Sequence, residues 1–339
     1  MMIQPKRRWI ITLLLILFVV LLSGCGGDKD DADQPSAAQT PTPSLDAGAN
    51  PLAEQWVIEV PDSRTIAYRP DGSLIAVGAS DNIWFYSADL EPLRVLKGHS
   101  DVVRGLAWSP DGSQLASASL DFTTRVWDSD GKSLATLKGH TDWVQSVVWS
   151  PDGSKLATAS TDKTARIWDA ASFEQIGVLE HAASLTSVIW SPDGAVIATA
   201  SSDGSLYLWD AASLEQTGVL SHKDSVIAAA WSPDGTKIAS GSWDNTVKIW
   251  DAASADELLT LSDSPVRLIA VAWSPDSRLV AAGARDGAVH VWDATSGDSV
   301  IVFQMGDEVR AVAWSPDGTI LIASAINNLV RVWDVAALP

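Results

Sequence analysis

Apolar and polar residues alternate along most of this chain in short runs that turn residues interrupt. The stretch from Trp149 to Asp169 shows the pattern clearly, with Ser-Pro-Asp-Gly following Trp149 and two further alternating runs before Trp-Asp. A period of two predicts half-buried β-strands, and Pro followed by Asp-Gly favours a tight turn. Each such unit is therefore predicted to contain four antiparallel strands, which in this copy lie near residues 143–149, 156–160, 164–168 and 175–179.

The unit recurs at steps of 41 residues, with one step of 42. A period in this range is typical of a repeat architecture, in which one copy cannot bury its own apolar face. In a degenerate further copy, Tyr68 replaces the Trp before the turn, and Tyr86 stands where the others have the Trp of Trp-Asp. Four strands per copy with no helical period predict an all-β, seven-bladed β-propeller. The six regular Trp-Asp pairs begin at Trp127, Trp168, Trp209, Trp250, Trp292 and Trp333.

The last copy lacks a fourth strand of its own, because the sequence stops five residues after Asp334. Upstream of the first copy, residues 54–60 form a strand-like run that belongs to no unit. An open ring would leave exposed sheet edges. We therefore expect residues 54–60 to close the ring as the outer strand of the blade that ends at Trp333.

These motifs resemble those of the WD40 family over about residues 54–339, with the Trp-Ser-Pro-Asp-Gly turn, the Trp-Asp pairs, Gly98-His99 and Gly139-His140 as the matching marks. In that family an Asp, a His, a Ser or Thr and the Trp of Trp-Asp form a hydrogen-bonded structural tetrad. The resemblance implies four tetrads here: His99, Ser117, Asp121 and Trp127; His140, Thr158, Asp162 and Trp168; His181, Thr199, Asp203 and Trp209; and His222, Ser240, Asp244 and Trp250.

The pattern fails in the three blades that flank the expected closure. The blade ending at Trp292 has Ala282 in the hydroxyl position and no matching His, and the blade ending at Trp333 has Ala323 and Asn327. The blade ending at Tyr86 also lacks the His. Fewer buried hydrogen bonds would hold the turns of these blades, so we expect local opening to start there.

A His, an Asp and a Ser together also suggest a hydrolase. Here the set recurs four times, and its hydroxyl lies within a strand rather than at a strained nucleophile elbow. Buried polar groups that satisfy one another explain the recurrence. The fifth histidine, His290, lies on a third strand, and the chain has neither a Cys pair nor a phosphate-binding loop. We therefore expect no enzymatic activity, no cofactor and no metal.

One aspartate per blade belongs to a Pro-Asp-Gly turn or its variant. A calcium site is one interpretation, but single carboxylates on separate blades would lie too far apart to share an ion. We interpret them as solvated turn residues on an acidic rim that also carries the Trp-Asp ends. They are Asp71, Asp111, Asp152, Asp193, Asp234, Asp276 and Asp317.

Residues 1–24 are predicted to be an export signal, with a basic start and an apolar run from Trp9 to Leu22 that is shorter than the ~20 residues of a membrane-spanning helix. Leu22-Ser23-Gly24-Cys25 resembles the bacterial lipobox, which implies that Cys25, the single cysteine, is the lipidated first residue of the mature protein. Residues 25–53 are poor in apolar side chains and predict a disordered tether with a reach of about 30 Å. The propeller domain would then span residues 54–339.

The net charge is −19, and removal of three basic signal residues would make it −22. Such an acidic chain would be repelled by phosphate backbones, so we expect no nucleic-acid partner and membrane contact through the lipid alone. The expected location is therefore the cell surface or the periplasmic side of a membrane. The sequence leaves the oligomeric state open, with a monomer as the expectation.

The rim opposite the acidic one offers candidate binding residues. Four positions before each Trp-Ser-Pro Trp stands a variable residue, and in the WD40 family such positions commonly arm the binding face. Arg64, Arg104 and Arg310 occupy three of these positions, on blades that become consecutive once the ring closes, and they predict a local positive patch. They could equally pair with the nearby Asp62, Asp101 and Asp307. Possible exposed aromatic anchors near this rim are Trp143, Trp243 and Phe122.

Two functions remain open, and an enzyme is the disfavoured third. The leading interpretation is a lipid-anchored, extracytoplasmic platform that binds a protein or an acidic peptide on the rim where the tetrads lie. The alternative is a sensor that holds a small anion or another solute at the central channel near Arg64, Arg104 and Arg310.

Overall fold

The computed structural model describes residues 54–262, 264 and 266–338, with the side chains of residues 54 and 55 left aside. Within that part of the chain all regular structure is β-strand, arranged in seven four-stranded antiparallel sheets. The prediction of an all-β, seven-bladed propeller is confirmed. No helix in these residues has the length and apolarity to cross a membrane. The expected signal, Cys25 and tether lie outside the described residues, and the domain boundaries remain predictions.

Each blade runs from an inner strand at the channel to an outer strand. Blade 1 contains β2 (Thr65–Tyr68), β3 (Leu74–Gly78), β4 (Asn82–Ser87) and β5 (Pro92–Lys97). Blade 2 contains β6 (Val103–Trp108), β7 (Gln114–Ser119), β8 (Thr124–Asp128) and β9 (Ser133–Leu137). Blade 3 contains β10 (Val144–Trp149), β11 (Lys155–Ser160), β12 (Thr164–Asp169) and β13 (Gln175–Glu180). Blade 4 contains β14 (Leu185–Trp190), β15 (Val196–Ser201), β16 (Ser205–Asp210) and β17 (Gln216–Ser221).

The remaining blades follow the same order. Blade 5 contains β18 (Val226–Trp231), β19 (Lys237–Ser242), β20 (Val247–Asp251) and β21 (Glu257–Leu261). Blade 6 contains β22 (Leu268–Trp273), β23 (Leu279–Ala284), β24 (Ala288–Asp293) and β25 (Ser299–Gln304). Blade 7 contains β26 (Val309–Trp314), β27 (Ile320–Ala325) and β28 (Leu329–Asp334), and its outer strand is β1 (Glu54–Glu59).

The ring closes through β1, as the sequence predicted. This strand pairs antiparallel with β28, with Trp56 opposite Val332 and Ile58 opposite Val330. Just beyond the strand, the amide of Val60 donates to the carbonyl of Asn328 at 2.8 Å. Ile58 and Val60 are fully buried. Closure therefore joins the two ends of the propeller domain by both hydrogen bonds and apolar packing.

The core lies between neighbouring blades. The second strand of each blade is covered on both faces, and small side chains such as Ala157 and Ala159 let the adjacent sheet approach closely. Leu185 and Trp190 of blade 4 pack against these alanines and against Ile167. One blade thus supplies a wall that the next blade needs, which explains why single units are not independent.

The aspartates of the Pro-Asp-Gly turns are engaged within their own turns. In blade 2, Asp111 Oδ1 accepts the hydroxyl of Ser109 at 2.6 Å and the amide of Ser113 at 3.0 Å. The hydroxyl of Ser109 is the main cause that lowers the pKa of Asp111 to about 2. Gly112 takes the left-handed conformation at φ 68° that the turn requires. Among the described residues, no group of three or more His, Cys, Asp or Glu could hold a metal ion.

Candidate functional site

Seven structurally equivalent positions on the inner side of the blades line the mouth of the central channel. They enclose a cavity of about 600 Å³ together with residues of the adjoining loops. Each position stands at the start of an inner strand or directly before it, so the pleat turns its side chain toward the channel. In ring order from blade 1 to blade 7 the seven residues are Arg64, Arg104, Gln145, Thr186, Ile227, Ile269 and Arg310.

Two of the three predicted arginines are neutralised by a near neighbour. Arg64 forms an ion pair with Asp62, and Arg310 Nη1 lies 2.8 Å from Glu308 Oε1. The alternative partner Asp307 does not pair with Arg310, and its carboxylate accepts the amide of Glu308.

Arg104 differs from the other two arginines. Its Nε donates to Gln145 Oε1 at 3.1 Å, and no carboxylate of the described residues pairs with it. Its alternative partner Asp101 accepts the amide of Val102. Burial, together with the charges of Arg310 and Arg64, lowers the pKa of Arg104 to about 10. The guanidinium still remains protonated at neutral pH.

Sequence reasoning missed two other cations in this cavity. Arg267 precedes β22, and Arg285 follows β23. Arg285 Nε lies 3.4 Å from Glu308, which it shares with Arg310. Five arginines therefore line or rim a cavity whose lining contains one carboxylate, that of Glu308. The signal in the sequence was weak, because neither residue occupies the repeat position that drew attention to the other three.

The three candidate aromatic anchors are exposed to different extents and in different places. The exposed fractions are 47% for Trp143, 43% for Phe122 and 38% for Trp243. Trp243 lines the channel cavity, and the guanidinium of Arg267 lies 4.4 Å from the centre of its ring. Trp143 and Phe122 do not line that cavity. The site therefore unites Arg64, Arg104, Arg310 and Trp243 and leaves the other two aromatic residues outside it.

Three of the four expected tetrads form hydrogen-bonded chains. In blade 3, Trp168 Nε1 donates to Thr158 Oγ1 at 3.0 Å, and that hydroxyl contacts His140 Nε2 at 2.8 Å. His140 Nδ1 lies 2.8 Å from Asp162 Oδ2. This order makes His140 a neutral imidazole protonated on Nδ1, which donates to the carboxylate and accepts from the hydroxyl. The sets of His99 in blade 2 and His222 in blade 5 have the same connectivity.

These chains are electrostatically suited to a structural role. Burial would by itself raise the pKa of Asp162, but hydrogen bonds from Thr164, the amide of Thr141 and His140 outweigh it and hold the pKa at about 2. Burial lowers the pKa of His140. The pair is therefore a carboxylate facing a neutral imidazole at neutral pH.

The connectivity of hydroxyl, imidazole and carboxylate matches a hydrolytic triad, but access to it does not. Ser117, Thr158 and Ser240 are completely buried, and each accepts a Trp N–H as well. No substrate carbonyl could reach such an oxygen without unfolding the blade. These three sets hold the turns of their blades.

The expected tetrad of blade 4 is wrong in one member. His181 Nε2 contacts Thr199 at 2.8 Å, and Trp209 donates to the same hydroxyl. Asp203, however, accepts the phenol of Tyr207 at 2.9 Å, while His181 Nδ1 turns to the carbonyl of Leu179. The cause is visible in the sequence, because blades 2, 3 and 5 have Arg125, Arg166 and Lys248 at the place of Tyr207.

Blades 6 and 7 lack the central hydroxyl of the polar chain and contain stacked rings. Ala282 and Ala323 are fully buried in the hydroxyl positions. In blade 6, His290 stacks on Trp292 with ring centres 5.2 Å apart. In blade 7, Phe303 from the neighbouring blade stacks on Trp333 at 4.7 Å.

A second cavity of about 700 Å³ lies on the opposite rim, where blade 7 meets blade 1. Trp56, Tyr68 and Ile320 are among its lining residues. Trp108 and Trp149 in the next two blades fill the position of Tyr68, and each donates to a carbonyl of the preceding blade. The smaller phenol at the closure leaves part of that space open.

Comparison with known proteins gives two family matches. Residues 105–268 match the family described as the first β-propeller of WDR19, and residues 201–336 match that of eukaryotic translation initiation factor eIF2A. Each match covers less than half of the chain. Together with the relatives below, these matches support an assignment to the WD40-repeat β-propeller family.

Curated relatives share short segments with this chain. A probable cytosolic iron-sulfur protein assembly protein 1 from Candida glabrata is 34% identical over 20% of this chain and 23% of its own length. Protein transport protein sec13 from Aspergillus oryzae is 47% identical over 16% and 21%. Intraflagellar transport protein 122 homolog from Danio rerio is 40% identical over 19% and 6%. The chain thus covers less than a quarter of each of these relatives.

Proposed function

We propose that this chain is a lipid-anchored, extracytoplasmic platform that binds another protein through the arginine-lined mouth of its channel. The observation that carries the proposal is the convergence of Arg64, Arg104 and Arg310 on one cavity of an otherwise acidic molecule. A local positive site in a negative field selects a partner with complementary negative charge. The names of several relatives refer to assembly or transport, which agrees with a role in protein interaction.

The side chains around the cavity suit recognition better than catalysis. Trp243 is an exposed aromatic group beside cations, a combination that frequently dominates interface energies. Trp143 and Phe122 would extend the contact toward the outside of the rim. The buried tetrads contribute by holding the turns that display these residues.

Anchoring is the part of the proposal that rests on the sequence alone. Lipidation of Cys25 would attach the chain to a membrane, and residues 26–53 would separate the propeller from the lipid by about 30 Å. Radiolabelled palmitate incorporated by the wild-type chain and absent from Cys25→Ala would support the anchor. Equal labelling of both proteins would contradict it.

The test of the binding role is affinity capture from native membranes, quantified by mass spectrometry. The full chain is compared with a variant that carries Arg64→Glu, Arg104→Glu and Arg310→Glu. The captured partner should be lost while the thermal melt stays within a few degrees of the wild type. A partner captured equally well by this variant would contradict the role of the channel mouth.

A control variant separates position from charge. Lys132→Glu, Lys155→Glu and Arg278→Glu make the same change in net charge near the Pro-Asp-Gly turns or Trp-Asp ends, on the opposite rim. This variant should retain the partner. Loss of the partner in both variants would indicate a general effect of charge.

A small-anion sensor is the second candidate function. It is favoured by Arg104, a charged group at the channel that no carboxylate of the described residues neutralises. A small-molecule shift of the melt that disappears in the Arg64, Arg104 and Arg310 variant, without a captured protein, would favour the sensor over the platform.

A further inference from the structure

The channel mouth has two chemically different sides. Arg310, Arg64 and Arg104 lie on the consecutive blades 7, 1 and 2. Ile227 and Ile269 lie on blades 5 and 6, which stand across a seven-membered ring from blade 2. Arg267 and Arg285 of blade 6 also rim the cavity on that side. A ligand in this cavity therefore meets guanidinium groups on the side of blades 7, 1 and 2, and aliphatic carbon together with Arg267 and Arg285 on the other side.

Polar residues between the two sides are already engaged in the protein. Gln145 accepts from Arg104, and its Nε2 donates to Thr161 at 3.1 Å. Thr186 Oγ1 donates to the carbonyl of Val226 at 2.7 Å. These hydrogen bonds fix both side chains. Gln145 and Thr186 therefore form part of the cavity wall rather than bind a ligand.

The guanidinium of Arg104 has hydrogen-bond donors that the described residues do not use. Its single hydrogen bond uses Nε, which leaves its two terminal nitrogens without a partner in the described part of the chain. Both nitrogens retain access to the cavity. Planar guanidinium groups bind carboxylates through two parallel hydrogen bonds, a geometry that a lysine could not supply.

The surrounding charge makes an anion favourable at this point. Five arginines adjoin the cavity, and among the described residues the carboxylates that form ion pairs with them are those of Asp62 and Glu308. Bringing like charges together in a partly buried place costs free energy that a bound anion would offset. Neither carboxylate reaches Arg104 itself.

We propose that the channel mouth binds an apolar carboxylate, with the carboxylate on the terminal nitrogens of Arg104 and the hydrocarbon part against Ile227 and Ile269. The cavity volume is within the usual range for sites that bury a small organic ligand. The same chemistry is found in a free organic acid and in the terminal residue of a polypeptide. The second source would deepen the proposed function by naming what the partner inserts.

The first test is isothermal titration of the full chain with three probes. Hexanoate should bind saturably, whereas hexanol lacks the charge and inorganic phosphate lacks the hydrocarbon. We expect each of these two to bind at least about tenfold more weakly, because each loses one half of the recognition. Equal binding of phosphate and hexanoate would exclude a contribution from Ile227 and Ile269, and absence of saturable hexanoate binding would exclude the site.

The second test uses variants. Arg104→Gln should weaken hexanoate binding at least about tenfold, because a charge-assisted bond is replaced by a neutral one. Arg278→Gln, an exposed arginine among the Pro-Asp-Gly turns, should bind as the wild type does. Unchanged binding by Arg104→Gln would overturn the proposal. Ile227→Asn should weaken hexanoate more than acetate, which distinguishes the aliphatic side from a purely electrostatic effect.

A third set of probes shows whether the bound carboxylate belongs to a free organic acid or to the terminal residue of a polypeptide. The peptide acetyl-Ala-Ala-Ile with a free terminus is compared with its amide. Preferential binding of the free terminus supports a polypeptide ligand, whereas binding of hexanoate alone supports a free acid. If the triple-arginine variant loses its partner although no carboxylate probe binds the wild type, the platform stands and the carboxylate assignment fails. Carboxylate binding without a captured protein would support the carboxylate assignment and contradict the platform.

Discussion

Blades 2, 3 and 5 and the blades beside the closure build the same four-stranded sheet around different interiors. In blade 3 a Trp, a Thr, a His and an Asp form one buried polar chain. In blade 7 an alanine replaces the hydroxyl, and stacking of Phe303 on Trp333 takes the place of the polar chain. The strand pattern therefore suffices to form a blade, and the tetrad is one of several ways to fill it.

Blades 2, 3 and 5 also have a different role in the ring from that of the blades at the closure. The polar chains of blades 2, 3 and 5 satisfy every member and fix the turns through geometry. Blades 7 and 1 meet through a strand supplied by the other end of the domain and beside a cavity of about 700 Å³. Two of the three channel arginines, Arg64 and Arg310, belong to these blades. We therefore expect the weakest part of the ring to adjoin the candidate binding site.

Among the changes that test this comparison, deletion of residues 54–60 should have the largest effect on stability. It removes β1, exposes the edge of β28 and uncovers the contacts of Ile58 and Val60. Loss of two fully buried aliphatic side chains and a strand ladder should cost about 5 kcal/mol or more, comparable to the whole stability of many domains. Thermal unfolding followed by circular dichroism should lose its cooperative transition.

The matched control deletes residues 44–50, an equal length of the expected tether. Its melt should equal that of the wild type. If the chain without residues 54–60 melted as the control does, closure through β1 would not hold the ring.

Thr158→Val should produce the next largest effect, because it breaks the polar chain of blade 3 at its centre. The buried nitrogens of His140 and Trp168 would lose their shared partner, at a cost of about 2–4 kcal/mol. Thr217→Val, on the exposed face of β17, should change the free energy of unfolding by less than about 0.5 kcal/mol. Urea unfolding of the two variants measures the difference, and equal values would show that the network adds no stability.

The pH dependence of stability should be the smallest effect. Burial lowers the pKa of His140 and His222, so the unfolded chain binds protons more readily than the folded one. Their contribution is fully present above the unfolded value of 6.5 and is lost as the pH falls below it. Asp162, with a folded pKa of about 2 against 3.8 unfolded, adds a second loss in strongly acidic solution.

Urea midpoints at pH 7.5 and pH 5.5 test this expectation. The wild-type midpoint should decrease at the lower pH, and His140→Gln should decrease less because one of the titrating groups is gone. A midpoint that rose on acidification would contradict the assignment of neutral, buried histidines.

The fold was predictable because its signals are repeated. Seven copies of one pattern fix strand number and blade count, and the unmatched run of residues 54–60 identifies the closing strand. Single substitutions were harder to interpret. Tyr207 diverts Asp203 from His181, an outcome that depends on the reach of one phenol rather than on the motif.

The candidate site was predictable in position but only partly in composition. The repeat position identified Arg64, Arg104 and Arg310, since equivalent residues of a closed ring must converge. Arg267 and Arg285 lie at two other repeat positions, which Trp143 and Trp243 occupy in blades 3 and 5, and the sequence alone did not identify these positions as facing the channel. The isoleucines of the opposite side gained meaning only once the ring order was known.

Amide hydrogen exchange of the full chain, followed by mass spectrometry at neutral pH, tests most directly whether the ring is weakest at its closure. Segments covering β3 and β27 beside the closure are compared with β11 and β19, which are the same strand in blades 3 and 5. We expect exchange to be at least about tenfold faster in β3 and β27, because these strands should have a smaller opening free energy. Exchange in β3 and β27 that is as slow as in β11 and β19, or slower, would contradict it.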